Sequence, residues 1–315
     1  MVSCKSYIDR MLQTHGWLLP GNHETDIATK APLSSTACQS LQLEHGPTEG
    51  TKEHKALQEE MGFSYRQVLG ELMYAYVICR CDIGYAVTFL ARYSQSPSKS
   101  HYNALKGIAR YLRATKSYGI YYWRTTPWTD LPNCPIPPIP NHNEEDLPPF
   151  PTSDGSLLCY VDAAHATDLK TRRSVTGYGI CYAGGVIAYK SKLQSTCSTS
   201  STEAEFIAAV TAAKTVKYLR TVLHKLGYSI DTPTILYINN KAAIAMVNED
   251  RPTLRARHID IQHFAIQEWR KQAIISLRHI AGVLNPADAA TKPLGWILHR
   301  RHVLHMMGYY GLSST

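Results

Sequence analysis

Prolines concentrate in one short stretch of this chain, and that stretch limits how the rest can fold. Nine of the 17 prolines lie between Pro127 and Pro151, together with the acidic run Glu144-Glu145-Asp146. Proline lacks a backbone donor and favours extended conformations, so this stretch cannot contribute to a packed core. The sequence therefore predicts two folded units, residues 1–124 and 157–315, joined by an extended linker over residues 125–156. The alternative is that the proline motifs are a ligand for a partner domain.

Residues 1–124 are predicted to form a small, mostly helical unit. Apolar residues at helical spacing predict helices over residues 7–15, 68–76, 82–92 and 99–114. Residues 21–60 are polar and are expected to be irregular, except for a helix near residues 54–61. Short strands are expected at residues 119–123. The unit has no paired carboxylates and no glycine-rich phosphate loop, so no chemistry is expected in it.

From residue 157 the pattern changes to alternating strands and helices. Strands are predicted at residues 157–163, 175–182, 186–191, 234–238 and 274–280, with Ala183-Gly184-Gly185 as a hairpin turn. Helices are predicted at residues 200–226, 241–247, 258–272 and 294–307. This order of elements predicts an α/β fold, in which helices flank a mixed sheet.

The long helix predicted at residues 200–226 places a carboxylate on its apolar side. Ser200 and Glu203 match a capping box at the start of the helix. Glu205 lies four residues before Ala209 and shares its apolar face, which also includes Leu226. A carboxylate on that face loses its hydration unless it faces a cation. Glu205 is therefore interpreted as a metal ligand, and the alternative is a partly exposed carboxylate at the helix end.

Four polar side chains are expected to meet at one end of the predicted sheet. They are Asp162 on the first strand, Glu205 on the long helix, Asn239 after the fourth strand, and Asp288 near the last helix. Carboxylate oxygens are the ligands that Mg²⁺ prefers in proteins. Paired Mg²⁺ ions can activate water and stabilise the leaving oxygen of a phosphodiester. We therefore predict a metal-dependent hydrolytic site at this edge.

The net positive charge of the chain is confined to its second half. Residues 156–315 carry 19 Lys and Arg against 10 Asp and Glu, a net of +9, whereas residues 1–155 carry 14 against 15, a net of −1. This asymmetry favours a polyanionic partner for the second half, although a solvated basic surface would give the same count.

Five side chains are candidates for contact with a nucleic acid. They are Arg172, Arg173, Lys190 and Lys192, which flank the predicted hairpin, and His258 at the start of a helix. His258 is a candidate for contact with substrate or for product release. The alternatives are lysines that prevent pairing of strand edges and a histidine that bonds to the helix backbone.

Cysteine usage and hydropathy indicate where the protein is found. The eight cysteines include no CxxC pair, and Cys79 and Cys81 are too close for an ordinary disulfide, so a reduced, intracellular setting is expected, in cytoplasm or nucleus. The N-terminus lacks the apolar segment of a secretory signal, so secretion is not expected. The sequence contains no run of about 18 apolar residues, so no association with a membrane is expected.

Several motifs occur together in the second half of the chain: Tyr160-Val161-Asp162-Ala163, Ser201-Thr202-Glu203-Ala204-Glu205-Phe206, Arg257-His258-Ile259-Asp260-Ile261, and Asn285-Pro286-Ala287-Asp288 with Thr291-Lys292-Pro293-Leu294. In this order they resemble the ribonuclease H domain of the Pol polyprotein of copia-type LTR retrotransposons. Upstream, Tyr65-Arg66, Gly70-Glu71-Leu72-Met73-Tyr74, Cys81-Asp82-Ile83-Gly84-Tyr85-Ala86 and Arg110-Tyr111-Leu112 resemble the thumb-like end of its reverse transcriptase domain. The resemblance covers most of the chain except the proline-rich linker.

The resemblance implies a ribonuclease H-like fold, with a small helical unit before it, and cleavage of RNA in an RNA–DNA hybrid. It places Asp162, Glu205 and Asp288 on the metal-binding carboxylates of the family, with Mg²⁺ or Mn²⁺ as cofactor and Asn239 as the remaining catalytic position. It also implies the rest of Pol as a partner. The Tyr-x-Asp-Asp polymerase motif is not found, so no polymerase activity is expected.

This sequence departs from the family pattern at a few positions. The family usually has Asp at the position of Asn239 and Pro at that of Cys81, and it often has an acidic residue and Trp at those of Ala164 and His165. Because Asn239 brings no negative charge, the metal ions are expected to be weakly held and the nuclease impaired. Three hypotheses follow: an active ribonuclease H, a catalytically inactive nucleic-acid-binding remnant, and a truncated copy without a selected role.

Overall fold

The structure is a computed structural model that describes residues 1–18, 30–122, 156–248 and 257–309, the first four of the last range by their backbone only. The predicted linker lies outside the described residues except for Ser156. Two compact units are present, Met1–Ile120 with Lys292–Arg300, and Tyr121–Thr291 with Arg301–Thr315.

The division into units differs from the expected one at residues 292–300. This segment was expected in the second unit, yet it groups with the first. The reason is visible at His299, whose imidazole Nε2 donates to the backbone oxygen of Asp82 at 3.0 Å and whose ring lies edge-on to Tyr111. Both partners belong to the first unit, so polar and aromatic contacts hold the segment there.

The first unit is helical, as expected. Its helices are α1 (Lys5–Thr14), α2 (Ser35–Leu43), α3 (Lys52–Met61), α4 (Tyr65–Ile78), α5 (Gly84–Ala91) and α6 (Lys99–Ala114). Helix α2 was not predicted, and it begins where the Ser34 hydroxyl accepts a bond from the Ala37 amide at 3.2 Å. The expected strands at residues 119–123 reduce to one bridge between Val2 and Ile120 within the described residues.

The second unit contains a five-stranded mixed sheet. Its strands are β1 (Leu158–Ala164), β2 (Val175–Tyr182), β3 (Gly185–Leu193), β4 (Thr234–Ile238) and β5 (Ile275–His279). They lie in the order β3-β2-β1-β4-β5, antiparallel from β3 to β1 and parallel from β1 to β5. The unit also contains α7 (Ser201–Lys225), α8 (Lys241–Asn248) and α9 (Arg257–Lys271), whereas the last helix, α10 (Trp296–Met306), is divided between the two units after Arg300. The predicted α/β fold, a mixed sheet with flanking helices, is confirmed.

Helix α7 packs on one face of the sheet through small side chains. Ala209 and Ala213 are buried against strand residues such as Val161 and Ile180. Alanines allow the helix backbone to approach the sheet closely, which packs the interior densely. Because side chains alternate along a strand, Val161 points to α7 and its neighbour Asp162 points to the opposite face.

The turn between β2 and β3 has the conformation that a two-residue hairpin requires. Ala183 and Gly184 have φ values of 48° and 90°, and Tyr182 pairs with Gly185. Two consecutive residues with positive φ match the twist of the flanking strands. The predicted hairpin is therefore confirmed. Among the described helices, none is both long and apolar enough to cross a membrane.

Candidate active site

Asp162 is the most enclosed carboxylate of the site, with 1% of its surface exposed. It pairs in register with Gly177 of β2. A Cβ atom on Gly177 would lie 2.5 Å from Thr291 Cγ2 and 2.9 Å from Ala290 Cβ. Only glycine at this position lets the segment that follows the short helical turn Pro286–Ala290 pack on the strand. The turn carries Asp288, so the close packing brings it beside the strands that hold Asp162.

Two side chains tie this turn to β1. Asn285 donates its amide to the backbone oxygen of Val161 at 2.7 Å, and its own oxygen accepts from the Ala287 amide at 3.2 Å. The Thr291 hydroxyl donates to the carboxylate Oδ2 of Asp162. These bonds lie on either side of Asp288, which is buried, so they fix its backbone relative to Asp162.

Asn239 reaches the second oxygen of Asp162. Ile238 pairs with Val161 across the parallel strands, so the next residue on each strand lies side by side. The Asn239 amide Nδ2 donates to Asp162 Oδ1 at 3.0 Å. An ionised aspartate at this position could not donate this bond, so Asn239 stabilises the Asp162 carboxylate with a neutral donor instead of adding charge.

The residue that caps the following helix, α8, is not Asn239 but its neighbour. The side chain that caps α8 is Asn240, whose Oδ1 accepts from the Ala243 amide at 3.0 Å. The two adjacent asparagines therefore divide the roles. Asn240 satisfies the helix start, and Asn239 serves the site.

Glu205 is buried in the first turns of α7, with 4% of its surface exposed. The helix begins as predicted, since the Ser200 hydroxyl accepts from the Glu203 amide at 3.1 Å. The expected return bond of the capping box is shifted by one residue, because the Glu203 carboxylate accepts from the amide and hydroxyl of Thr199, both at 2.7 Å. Glu203 is thereby kept on the outer side of the helix while Glu205 faces inward.

The buried carboxylates suit a divalent cation by their chemistry. Asp162, Glu205 and Asp288 are 1%, 4% and 5% exposed, and burying charged carboxylates is costly without a cation or donors. Their oxygens, with the amide oxygen of Asn239, are the donor type that Mg²⁺ prefers. Within the described parts of the chain, no group of three acidic, histidine or cysteine side chains is spaced to hold a metal ion. That the three carboxylates share ions stays a prediction.

The two lysine candidates do not lie on the same sheet face as Asp162. Lys190 pairs with Tyr178, whose hydroxyl contacts that of Thr215 on α7 at 2.9 Å. Lys190 and Lys192 therefore lie on the α7 face, opposite Asp162. Burial, and to a smaller extent the charge of Lys192, lowers the pKa of Lys190.

Arg172 and Arg173 lie on an ordered turn after β1. Asp168 holds this turn by accepting from the amide and hydroxyl of Thr171, both at 2.8 Å, and Arg172 has a φ of 53°. Both arginines are exposed. The side chain of His258 lies outside the described residues. Phosphate contact by these residues stays a prediction.

Sequence reasoning missed one buried polar side chain beside the site. Gln194 follows β3 and donates its Nε2 to Thr176 Oγ1 and to the Ala204 backbone oxygen, both at 3.0 Å. Thr291 belongs to the motif Thr291-Lys292-Pro293-Leu294, which does not by itself indicate the bond to Asp162. A sequence signal for Gln194 is weak, because a glutamine in the polar run before a helix usually indicates an exposed loop.

Comparison with known proteins identifies similar chains over most of the sequence. The retrovirus-related Pol polyprotein from transposon TNT 1-94 of Nicotiana tabacum is 31% identical over 291 residues, 92% of this chain and 19% of that protein. The corresponding polyprotein from transposon RE2 of Arabidopsis thaliana is 27% identical over 73% of this chain and 14% of its own length. The chain thus spans less than a fifth of the length of these relatives.

Solved structures were compared with the chain as well. The crystal structure of LC11-RNase H1 in complex with RNA/DNA hybrid is 15% identical, with a TM-score of 0.34, and the match covers 43% of this chain and 94% of that one. No protein-family model matches the chain.

Proposed function

We propose that this chain, which belongs with the retrovirus-related Pol polyproteins of copia-type transposons, is a ribonuclease H-like nuclease that hydrolyses the RNA strand of an RNA–DNA hybrid. The observation that carries the proposal is that Asp162, Asp288 and Glu205, three carboxylates on different elements of the second unit, are all buried. We also propose the remainder of a Pol polyprotein as a partner, since the relatives extend well beyond the matched region.

Asp162, Glu205 and Asp288 would hold Mg²⁺ or Mn²⁺. When bound, such ions supply an activated water and stabilise the leaving oxygen of a phosphodiester. The chain contributes orientation: Thr291 fixes one oxygen of Asp162, and Asn285 fixes the backbone before Asp288. A buried, hydrogen-bonded carboxylate keeps its direction, and small displacements of a catalytic group are costly in rate.

Asn239 makes the proposed nuclease weak. Its amide provides a hydrogen bond to Asp162 in place of the negative charge that the family usually has there. Two divalent ions close together repel each other, and each missing carboxylate leaves more of that repulsion uncompensated. We expect a penalty of several kcal/mol, equivalent to a rate loss of roughly a thousandfold, since about 1.4 kcal/mol is tenfold.

The second candidate function is that of a catalytically inactive protein that binds nucleic acid. The same contact favours it, because an amide that donates to Asp162 occupies this oxygen without any metal. The net charge of +9 on residues 156–315 supports binding in both cases.

The test is cleavage of an RNA–DNA hybrid by the whole chain with Mg²⁺ or Mn²⁺. Asn239→Asp should raise the rate at least a hundredfold, and Asp162→Asn in that variant should abolish it. Glu205→Gln should also abolish cleavage, whereas the matched control Glu203→Gln, two residues away on the outer side of α7, should not.

Three outcomes would change the proposal. If neither Asn239→Asp nor Asp162→Asn affects cleavage, this is not the catalytic site. If the unmodified chain already cleaves at a rate typical of ribonucleases H, the claim of impairment is wrong. If hybrid is bound but not cleaved even by Asn239→Asp, the inactive binding protein is the correct function.

A further inference from the structure

Gln194 connects three separate segments of the second unit through its side chain. It lies just after β3, and only 5% of its surface is exposed. Its Nε2 group donates both hydrogens, one to Thr176 Oγ1 on β2 and one to the Ala204 backbone oxygen in α7, each at 3.0 Å. Its Oε1 accepts from the Ser198 hydroxyl at 2.8 Å. The amide side chain therefore satisfies two donors and one acceptor in a buried position.

The orientation of this amide follows from its partners. The Ala204 carbonyl can only accept, so it must face the NH₂ group of Gln194 rather than its oxygen. The backbone amide of Gln194 adds a fourth bond, to the Ser174 oxygen at 2.8 Å. Gln194 is thus fixed at both its backbone and its side chain, and it acts as a rigid link.

The residues that Gln194 joins are neighbours of the proposed metal ligands. Ala204 directly precedes Glu205, and Thr176 directly precedes Gly177, the register partner of Asp162. The two ligands lie on different elements, a helix and a strand. Gln194 therefore sets the position of the first turn of α7 relative to the strand pair that carries Asp162.

We infer that Gln194 is a positioning residue that fixes the start of α7, and with it Glu205, relative to Asp162, and so supports divalent-ion binding by these two carboxylates. The inference rests on the proposed function in assigning Glu205 and Asp162 to the ions. Residues that orient metal ligands without touching the metal typically contribute tenfold to hundredfold in metal affinity. Removing the donors of Gln194 should therefore weaken Mn²⁺ binding by that factor.

A purely structural role would make a different prediction. In that case loss of Gln194 would lower stability, and metal binding would fall only as far as the protein unfolds. Arg220 provides the matched comparison. Its guanidinium also ties α7 to a neighbouring segment, with bonds to the Thr232 oxygen at 2.8 Å, Ile230 oxygen at 2.7 Å and Thr234 Oγ1 at 3.1 Å. It lies 15 residues after Glu205, about 22 Å along the helix.

The experiment titrates Mn²⁺ alone into the whole chain carrying Asn239→Asp and follows the melting temperature and the heat of binding. Glu205→Gln should remove the saturable response. Gln194→Met, which keeps the length of the side chain but no donors, should raise the half-saturating Mn²⁺ concentration tenfold to hundredfold. Arg220→Met should lower the melting temperature without changing that concentration.

The other outcomes of this titration distinguish failure of the Gln194 inference from failure of the proposed function. Equal half-saturating concentrations in Gln194→Met and Arg220→Met would overturn the inference and leave the proposed function intact. Glu205-dependent Mn²⁺ binding without cleavage of hybrid would refute the proposed function and leave the Gln194 test valid. Absence of any Glu205-dependent binding would refute both.

Two milder variants cover the case in which Gln194→Met does not fold. Thr176→Val and Ser198→Ala each remove one partner of Gln194 and leave its side chain in place. Both should raise the half-saturating Mn²⁺ concentration, but by a smaller factor than Gln194→Met does. If neither changes the half-saturating concentration while the fold is intact, the inference is wrong.

Discussion

The contact between Asn239 and Asp162 makes Asn239→Asp a test of stability as well as of activity. The substitution places a second carboxylate about 3.0 Å from a buried one and removes the bond that the amide donates. With an effective dielectric constant of about 20, two like charges at that separation repel by about 5.5 kcal/mol. The pair can avoid this only by taking up a proton. For a carboxyl of usual pKa near 4, that costs about 4 kcal/mol at pH 7.

We therefore expect Asn239→Asp to lower the free energy of unfolding by about 3–4 kcal/mol at pH 7 in the presence of EDTA. For a unit of this size, that corresponds to a fall in melting temperature of roughly 6–16 °C. The folded pair binds a proton more tightly than the unfolded chain does, so the loss should grow as pH rises above about 4 and shrink on acidification. Saturating Mg²⁺ should restore much of the stability, since a ligand at a concentration a hundredfold above its Kd adds about 2.7 kcal/mol to the free energy of unfolding.

The adjacent residue supplies the control for this measurement. Asn240→Asp adds the same charge one position along the chain, where an aspartate caps α8 as well as an asparagine does. It should change stability by less than about 0.5 kcal/mol and show no response to Mg²⁺. The reasoning is refuted if Asn239→Asp is as stable as the unmodified chain in EDTA, or if Mg²⁺ stabilises both variants equally.

Further predictions concern the linker, the basic surface and two buried side chains. Limited proteolysis should cut first between residues 125 and 156, because this proline-rich stretch is not expected to form a packed core. Early cleavage within α7 would contradict the two-unit division. Affinity for hybrid should fall steeply with salt, and replacing Arg172 and Arg173 by glutamine should each reduce the slope by about one; a slope unchanged in both variants would exclude them as phosphate contacts. Thr291→Val should lower the free energy of unfolding in urea by about 1–3 kcal/mol, because it leaves one oxygen of the buried Asp162 carboxylate without its donor, and Thr291→Ser should recover most of that loss. Burial, with a smaller effect of Arg301, lowers the pKa of His305 to about 3. As the pH drops from about 6.5 towards 3, the unfolded chain therefore takes up a proton before the folded chain does, and the free energy of unfolding should fall. His305→Gln should reduce this pH dependence in urea-unfolding measurements.

Much of the second unit could be predicted because its sequence pattern is strong. The strands Val175–Tyr182 and Thr234–Ile238 match their predicted bounds, since alternating or continuous apolar residues end at clear turn residues. The end of α7 shows where the pattern misleads. Leu226 fits the apolar spacing but is 67% exposed, because it follows the last helical residue and no longer faces the sheet.

Helix α2 could not be predicted from its own residues. It was expected to be irregular because residues 35–43 are mostly polar, and only Cys38 and Leu41 among them are buried. A short helix with so few apolar residues is marginal alone and depends on packing against the rest of its unit. Periodicity therefore fails where the tertiary contacts, rather than the local sequence, stabilise the element.

The candidate site also has features that the sequence predicts and features that it does not. That Asp162 and Asn239 lie side by side follows from their places at the ends of parallel strands, which sequence reasoning can reach. That Asn239 donates to Asp162, that Thr291 donates from the other side, and that Gln194 joins α7 to β2 cannot be predicted by pattern. These bonds join residues far apart in the chain, and no local spacing specifies them.

The packing of the Asp288 segment on Gly177 determines when this site can form during synthesis of the chain. The segment that packs on it, with Asp288 and Thr291, lies more than a hundred residues after Asp162 in the chain. At about 5–20 residues per second, a ribosome needs on the order of ten seconds to cover that interval. Throughout this time, β1 and β2 can pair while the side of Gly177 stays open and Asp162 lacks its threonine donor. The candidate site therefore cannot be completed until nearly the whole second unit has been translated.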